Sequence, residues 1–326
     1  MEKVRAKTSG FETFAKKNVL IGVLIILFIV LALANKNFFT LQNMMTVLRT
    51  CSMNGIIALG MTLVIISGEI DLSVGSAVAF SGCLSAWMVQ RLTRMDMDVL
   101  PAIIIASVAA LIAGILIGLF TAWMRNSFQV PSFITTLGLL TMLSGFAYLL
   151  TGGFPIASYP QWYGYLGAGF IADVFPFQAL ILIIVFFVIF FLLNYTEFGR
   201  SVYAVGGNVE SARLSGVNVN RVRRISFAIT GFLAAFSGLM VSSQIMSGTP
   251  SVGTNGEMTA ISSIIIGGAS LSGGVGKVTG TLIGILFLGV LLNGMTILGI
   301  SSYWQLVVRG SLVIVAVLLN MSTRKK

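Results

Sequence analysis

The chain has 326 residues, 56% of them hydrophobic and only 9% charged, against about 25% charged in an ordinary soluble domain. So few charges cannot coat a globule of this size, which excludes a water-soluble fold and leaves, at about 20 residues per crossing, room for roughly eight to ten membrane spans. The net charge of +10 does not point to nucleic acid, because the basic residues collect in polar segments between apolar runs and at the two ends.

Residues 1–17 are a basic lead-in with Lys3, Arg5, Lys7, Lys16 and Lys17. With Phe11 and Phe14 it reads either as a short helix on an anionic leaflet or as a frayed terminus whose charge sets topology. The first apolar run is too long for a signal-peptide core and lacks a small-residue cleavage site. It predicts a span over Val19–Ala34. Leu41 to Arg49 is more polar and is expected to enter the membrane at an angle ahead of a second span, Met53 to Ser67. After a polar break at 68–76, a third span runs to Val89. The fourth covers Val99 to Met124, with Pro101 in its first turn, and the fifth Pro131 to Thr151. The stretch Gly152 to Phe175 holds Trp162, Tyr163 and Tyr165 but no Lys or Arg, as suits an external loop.

The sixth span is Phe175 to Asn194. Segment 195–224 follows, the longest polar stretch, with Arg200, Arg213, Arg221, Arg223 and Arg224 against Glu197 and Glu210. It reads as a cytoplasmic handle that takes a push from a soluble partner. The seventh span is Ile225 to Ser243, followed by an outer loop, Met246 to Glu257. The eighth, Met258 to Gly268, is short and breaks into a Gly-rich run at 267–277. The ninth is Val278 to Leu298 and the tenth Tyr303 to Leu319. The basic ends, Arg125, the handle and Lys277 then lie inside, and Lys36, Arg91 and Arg94 outside, which is the positive-inside arrangement. The fold expected is an all-α polytopic membrane protein, one domain over 1–326, with about ten transmembrane helices, both termini cytoplasmic and two helices broken.

Cys51 and Cys83 fall in or beside apolar runs and read as small buried side chains. Histidine is absent, which removes the commonest general base and metal ligand and argues against a catalytic or metal centre. Gly276-Lys277 imitates the end of a phosphate loop, but Leu271 and Val278 stand where the pattern needs Gly and Ser or Thr. Glu69 and Asp71 flank the first break. Either the break lines the translocation path or its gate, where irregular backbone must be satisfied by protein or water, or it is a turn in which Asp71 or Ser73 caps the next helix. Residues 65–75 and 265–274 echo one another weakly. Thr230, Gln244, Ser262, Ser263, Asn293 and Gln305 are candidates for a polar path or for helix-helix contacts.

Gly68-Glu69-Ile70-Asp71-Leu72-Ser73-Val74-Gly75-Ser76, Ala204-Val205-Gly206-Gly207-Asn208 and Leu214-Ser215-Gly216-Val217-Asn218 resemble the ribose-type sugar permeases of bacterial ATP-binding cassette importers, as do 267–274 and Asn293-Gly294. The handle is similar to the importer coupling motif Glu-Ala-Ala-x-x-x-Gly. Here it stands as Glu210-Ser211-Ala212-Arg213-Leu214-Ser215-Gly216, with Ser211 for an alanine. Glu69 also departs from the family's Gly-Ile-Asp-Leu-Ser.

The resemblance implies a permease with no catalytic residues and no cofactor of its own, ATP and magnesium residing on a partner ATPase. It assigns coupling to Gly206, Gly207, Asn208, Glu210, Ser211, Ala212, Arg213, Gly216 and Val217. A path or gate is implied at Glu69, Asp71, Ser73, Gly75, Gly273, Gly274 and Asn293. The expected partners are a cassette ATPase, a periplasmic sugar-binding protein, a second permease copy and membrane lipid, in a bacterial inner membrane. Ribose import by alternating access is the leading expectation. The alternatives are another sugar, a nucleoside or an amino acid as cargo, or an ion-coupled secondary transporter.

Overall fold

Long runs of Leu, Ile, Val, Ala and Phe can satisfy their backbone groups in lipid only as helix, and helix is what they form. A computed structural model of the protein describes residues 19–324. The lead-in 1–17, Lys325 and Lys326 lie outside the described residues, as do side chains beyond residue 318. In chain order the first helices are α1 (Val19–Ala34), α2 (Leu41–Ile66), α3 (Val74–Thr93), α4 (Val99–Ser127) and α5 (Ser132–Thr151). A 3-10 turn (Gln161–Gly164), α6 (Tyr165–Ala168) and strands β1 (Phe170–Ile171) and β2 (Phe175–Pro176) follow. Then come α7 (Phe177–Tyr195), α8 (Glu197–Gly207), α9 (Val209–Leu214), α10 (Val219–Ile245), α11 (Gly256–Ile266), α12 (Val278–Ile297) and α13 (Ser302–Arg324). Among the described residues, six helices (α2, α4, α5, α7, α10 and α12) are long and apolar enough to cross a membrane, and α1, α11 and α13 contribute shorter apolar stretches.

Helices α2 and α10 form the centre. α2 packs against α7, α10, α11 and α12, and α10 also against α3 and α4. Both bury most of their residues, whereas α4, α5 and α7 bury less than a third of theirs. The outward faces of those three present large apolar side chains such as Ile112, Leu116, Leu137, Met142, Phe187 and Phe191. An apolar surface this extensive suits a membrane rather than water. The central contacts are backbone-close: a Cβ on Gly114 or Gly118 of α4 would strike the carbonyls of Gly231 and Phe227 on α10. Gly280 and Gly284 of α12 sit in the same way on Gly267 and Ser263 beside α11. Both are Gly-x-x-x-Gly pairs, whose spacing puts two missing side chains on one helix face.

Leu41 to Arg49, expected as a polar entry ahead of the second span, is continuous with that span in α2. Thr40 caps the helix by accepting from the Asn43 amide. Its polar side chains find partners, Asn43 in Asn293 at 2.8–3.0 Å and Arg49 over the Phe170 ring at 4.7 Å. The Gly152 to Phe175 loop carries a small antiparallel hairpin, so the molecule is not wholly helical. Segment 195–224 divides into α8, α9 and the first turns of α10.

Candidate functional site

The short helix α9 is capped at both ends. Asn208 Oδ1 accepts from the Ser211 amide at 2.8 Å, an N-cap. At the other end the Gly216 amide bonds the Arg213 carbonyl and the Val217 amide the Ala212 carbonyl, both at 3.0 Å. This is a Schellman ending, and it needs a left-handed residue, supplied by Gly216 at φ +84°. Only Ala212 is buried on α9; Val209 and Leu214 are exposed, Leu214 by 81%. The Glu210–Arg213 pair at 2.7 Å lies in solvent and adds little stability. Arg200, Arg221 and Arg224 are exposed as well, but Arg223 is buried and turned inward.

Gly206 and Gly207, assigned to coupling by the resemblance, form the last turn of α8. A Cβ at Gly206 would collide with the Ile66 carbonyl and with the Gly274 amide. That amide itself donates to the Ile66 carbonyl at 2.8 Å, and the Tyr203 hydroxyl donates to the Gly276 carbonyl at 2.9 Å. Partial burial pushes the Tyr203 phenol above its ordinary pKa, so it remains a donor. The end of α8 therefore rests on both chain breaks at once.

The faint echo now has a cause, because the breaks begin identically. After α2, the Gly68 amide bonds Ile65 and the Glu69 amide bonds Val64, with Gly68 at φ +82°. After α11, the Gly268 amide bonds Ile265 and the Ala269 amide bonds Ile264, with Gly268 at φ +90°. Each is a Schellman ending, and the two loops lie against each other at Gly68 and Gly273.

Beyond Gly68 the first break is extended and buried, and side chains satisfy it. Ser132 of α5 accepts from the Ile70 amide at 3.1 Å, and the Thr136 hydroxyl reaches the Ile70 carbonyl at 3.4 Å. Glu69 Oε1 takes both Arg125 and Arg223 at 2.8 Å. Asp71 turns back on its own chain, accepting from the Ser73 amide at 2.9 Å and the Ser73 hydroxyl at 2.7 Å. Asp71 thus prepares the start of α3, while Glu69 is a shared counter-ion. Gly75, in the first turn of α3, meets the Gly253 carbonyl and the Glu257 carboxylate beside a cavity of about 130 Å³. Sequence reading missed Arg125 and Arg223 as partners of Glu69, and Glu257 as a buried residue. Their positions far along the chain give no local signal.

A larger cavity of about 230 Å³ lies between α2, α11, α12 and α13. Ser263, Asn293 and Gln305 line it, with Thr50 and Asn54. Gln244 lines a neighbouring cavity of about 190 Å³ that shares Thr50 and Asn54. Thr230 instead donates to the Gly60 carbonyl and joins α10 to α2, and Ser262 donates to Met258 within its own helix. The residues expected to form one path therefore occupy two places: Asn293 in this cavity, the remainder at the breaks.

The profile of a family described as branched-chain amino acid transport system / permease component matches residues 43–317. The ribose import permease protein RbsC of Haemophilus influenzae is 39% identical over 308 residues, covering 93% of each chain. That of Escherichia coli K12 is 38% identical over 305 residues, covering 92% of each. The xylose transport system permease protein XylH of H. influenzae is 34% identical over 354 residues, 89% of this chain and 91% of that one. No solved structure matches.

Proposed function

The chain belongs to this family of transport-system permease components, and from that premise we propose that it forms the membrane path of an ATP-driven importer of a monosaccharide, ribose first. The names of its relatives supply the cargo class. The observation that carries the mechanism is the seat of α8: its last turn contacts the Ile66 carbonyl and the Gly274 amide together. A cassette ATPase gripping α9 would displace α8, and α8 cannot move without moving both breaks. Alternating access follows when that displacement closes one end of the cavity system and opens the other.

In this reading the chain makes ten passes, α3 and α11 being the ones interrupted by the breaks, with α8 and α9 in the cytoplasm of a bacterial cell bounded by its inner membrane. ATP and magnesium act on the partner. A second permease copy completes the path, and a periplasmic binding protein supplies the sugar. Glu69, one carboxylate that an ion-coupled carrier could use, is held by two guanidiniums and is not free to exchange an ion.

The test is labelled ribose uptake in cells lacking their own ribose permease, expressing this chain with its neighbouring ATPase and binding protein. Wild type is expected to accumulate ribose, and Glu210→Arg to lose uptake while remaining in the membrane at normal abundance. Uptake unchanged in Glu210→Arg would overturn the coupling role. Accumulation of a nucleoside or amino acid in place of ribose would reassign the cargo.

A further inference from the structure

The larger cavity has a feature that the importer reading does not require. Arg309 of α13 reaches into it among uncharged groups: Thr50 and Asn54 from α2, Ser263 from α11, Asn293 from α12 and Gln305 from α13. Among the described residues, no Asp or Glu lines the cavity. Arg309 Nη1 reaches Thr259 Oγ1 at 3.4 Å, its one hydrogen bond among the described residues, and its buried Nε has no partner. Contrast Arg125 and Arg223, which share the Glu69 carboxylate. A guanidinium inside a span costs about 2.5–3.5 kcal/mol on insertion scales and normally faces a counter-charge or a water-filled cavity. Here it faces the cavity, and the counter-charge is missing.

We propose that this cavity is a resting site for the cargo within the membrane, and that Arg309 is its specificity-determining residue, favouring an oxygen-rich solute of monosaccharide size and rejecting a cationic one. The proposal rests on the importer reading and adds the site and the sign of its charge selectivity. Three features support it. Hydroxyl and amide groups arrive from four helices, so donors and acceptors surround the space, as a polyol requires. The planar guanidinium gives paired donors that match vicinal hydroxyls or a carboxylate. With no carboxylate in the lining, an ammonium group on the cargo would meet Arg309 unscreened.

The experiment is cysteine protection, with ribose uptake measured in parallel. The full chain, co-expressed with its ATPase and binding protein, carries Thr50→Cys in a Cys51→Ala, Cys83→Ala background. Membranes are labelled with a hydrophilic methanethiosulfonate in the presence of ribose, of ribonate or of 2-amino-2-deoxyribose. Ribose is expected to slow labelling. Ribonate should do so at about tenfold lower concentration, and the amino sugar at about tenfold higher, the scale of one hydrogen bond to a charged group. Adding Arg309→Gln should abolish the difference between the three solutes, each measured against labelling of the same variant without solute. Arg309→Lys, which keeps the charge, should retain the rejection of the amino sugar. Ribose uptake without protection would overturn the cavity assignment alone, and equal protection by the three solutes would overturn the role of Arg309. Membranes that neither take up ribose nor show protection by any solute would overturn the importer reading and this inference with it.

Discussion

Glu69 shows how far a residue can be read before its neighbours are known. The sequence places a carboxylate at a break between apolar runs and asks whether it lines a path or sits in a turn. The structure gives a third role: Arg125 and Arg223, counted from sequence only as topology-setting charge, both close on its Oε1 atom. Removing one member of a buried ion cluster strands the others and costs about 3–5 kcal/mol. Glu69→Gln is therefore expected to lower the unfolding midpoint of the detergent-purified protein and to abolish uptake. Asp71→Asn should cost about 1 kcal/mol, because among the described residues the Asp71 carboxylate accepts only from Ser73. Equal losses in the two variants would mean that the triad has no special weight. Leu214 is a different case: an apolar side chain that is 81% exposed on a polar segment, with nothing in the sequence to mark it. Leu214→Asp should weaken co-purification of the ATPase while leaving the unfolding midpoint within about 0.5 kcal/mol equivalent, as for other surface changes.

The sequence was most legible at the level of elements wherever local chemistry sets the boundary. The bounds of α9 follow from Asn208 at one end and Gly216 at the other, both acting on the backbone within a few residues. The start of α2 was misread because Asn43 and Arg49 look costly in a span, and their partners, Asn293 and Phe170, are remote in sequence. The two Gly-x-x-x-Gly pairs went unnoticed because 36 glycines give many chance spacings, and only contact tells which are used. Gly206 belongs to the same class. Gly206→Val would drive a side chain into the Ile66 carbonyl and force α8 off the breaks. The expected result is an ATPase that still co-purifies through an intact α9 but no longer drives uptake. Normal uptake would show that α8 need not touch the breaks.

For the whole molecule, composition alone announced the membrane, and α4 and α7, which bury little of their surface, are the most apolar of the six long helices. Which helices occupy the centre was not legible, since α2 and α10 are less apolar than α4 and α7 and join through hydroxyl-to-carbonyl bonds of Thr230 and Ser237. The side assignment can be checked directly. A single cysteine at Ser211 should react with an impermeant maleimide only in inside-out vesicles. One at Phe154, which is 78% exposed in the stretch expected on the external face, should react only in right-side-out cells. The reverse pattern would invert the topology.

The triad also constrains the order of biogenesis. Arg125 lies 56 residues after Glu69, and at about 5–20 residues per second of synthesis it follows roughly 3–11 s later. Arg223 arrives after two further spans, and the glycine loop that closes over Ile66 later still. Until Arg125 is made, at the end of the fourth span, the nascent chain holds an unpaired carboxylate at the break, and until the glycine loop follows it holds an open backbone segment there. A ribosome stalled before residue 125 would therefore leave exposed a lone charge that the finished fold encloses between two guanidiniums.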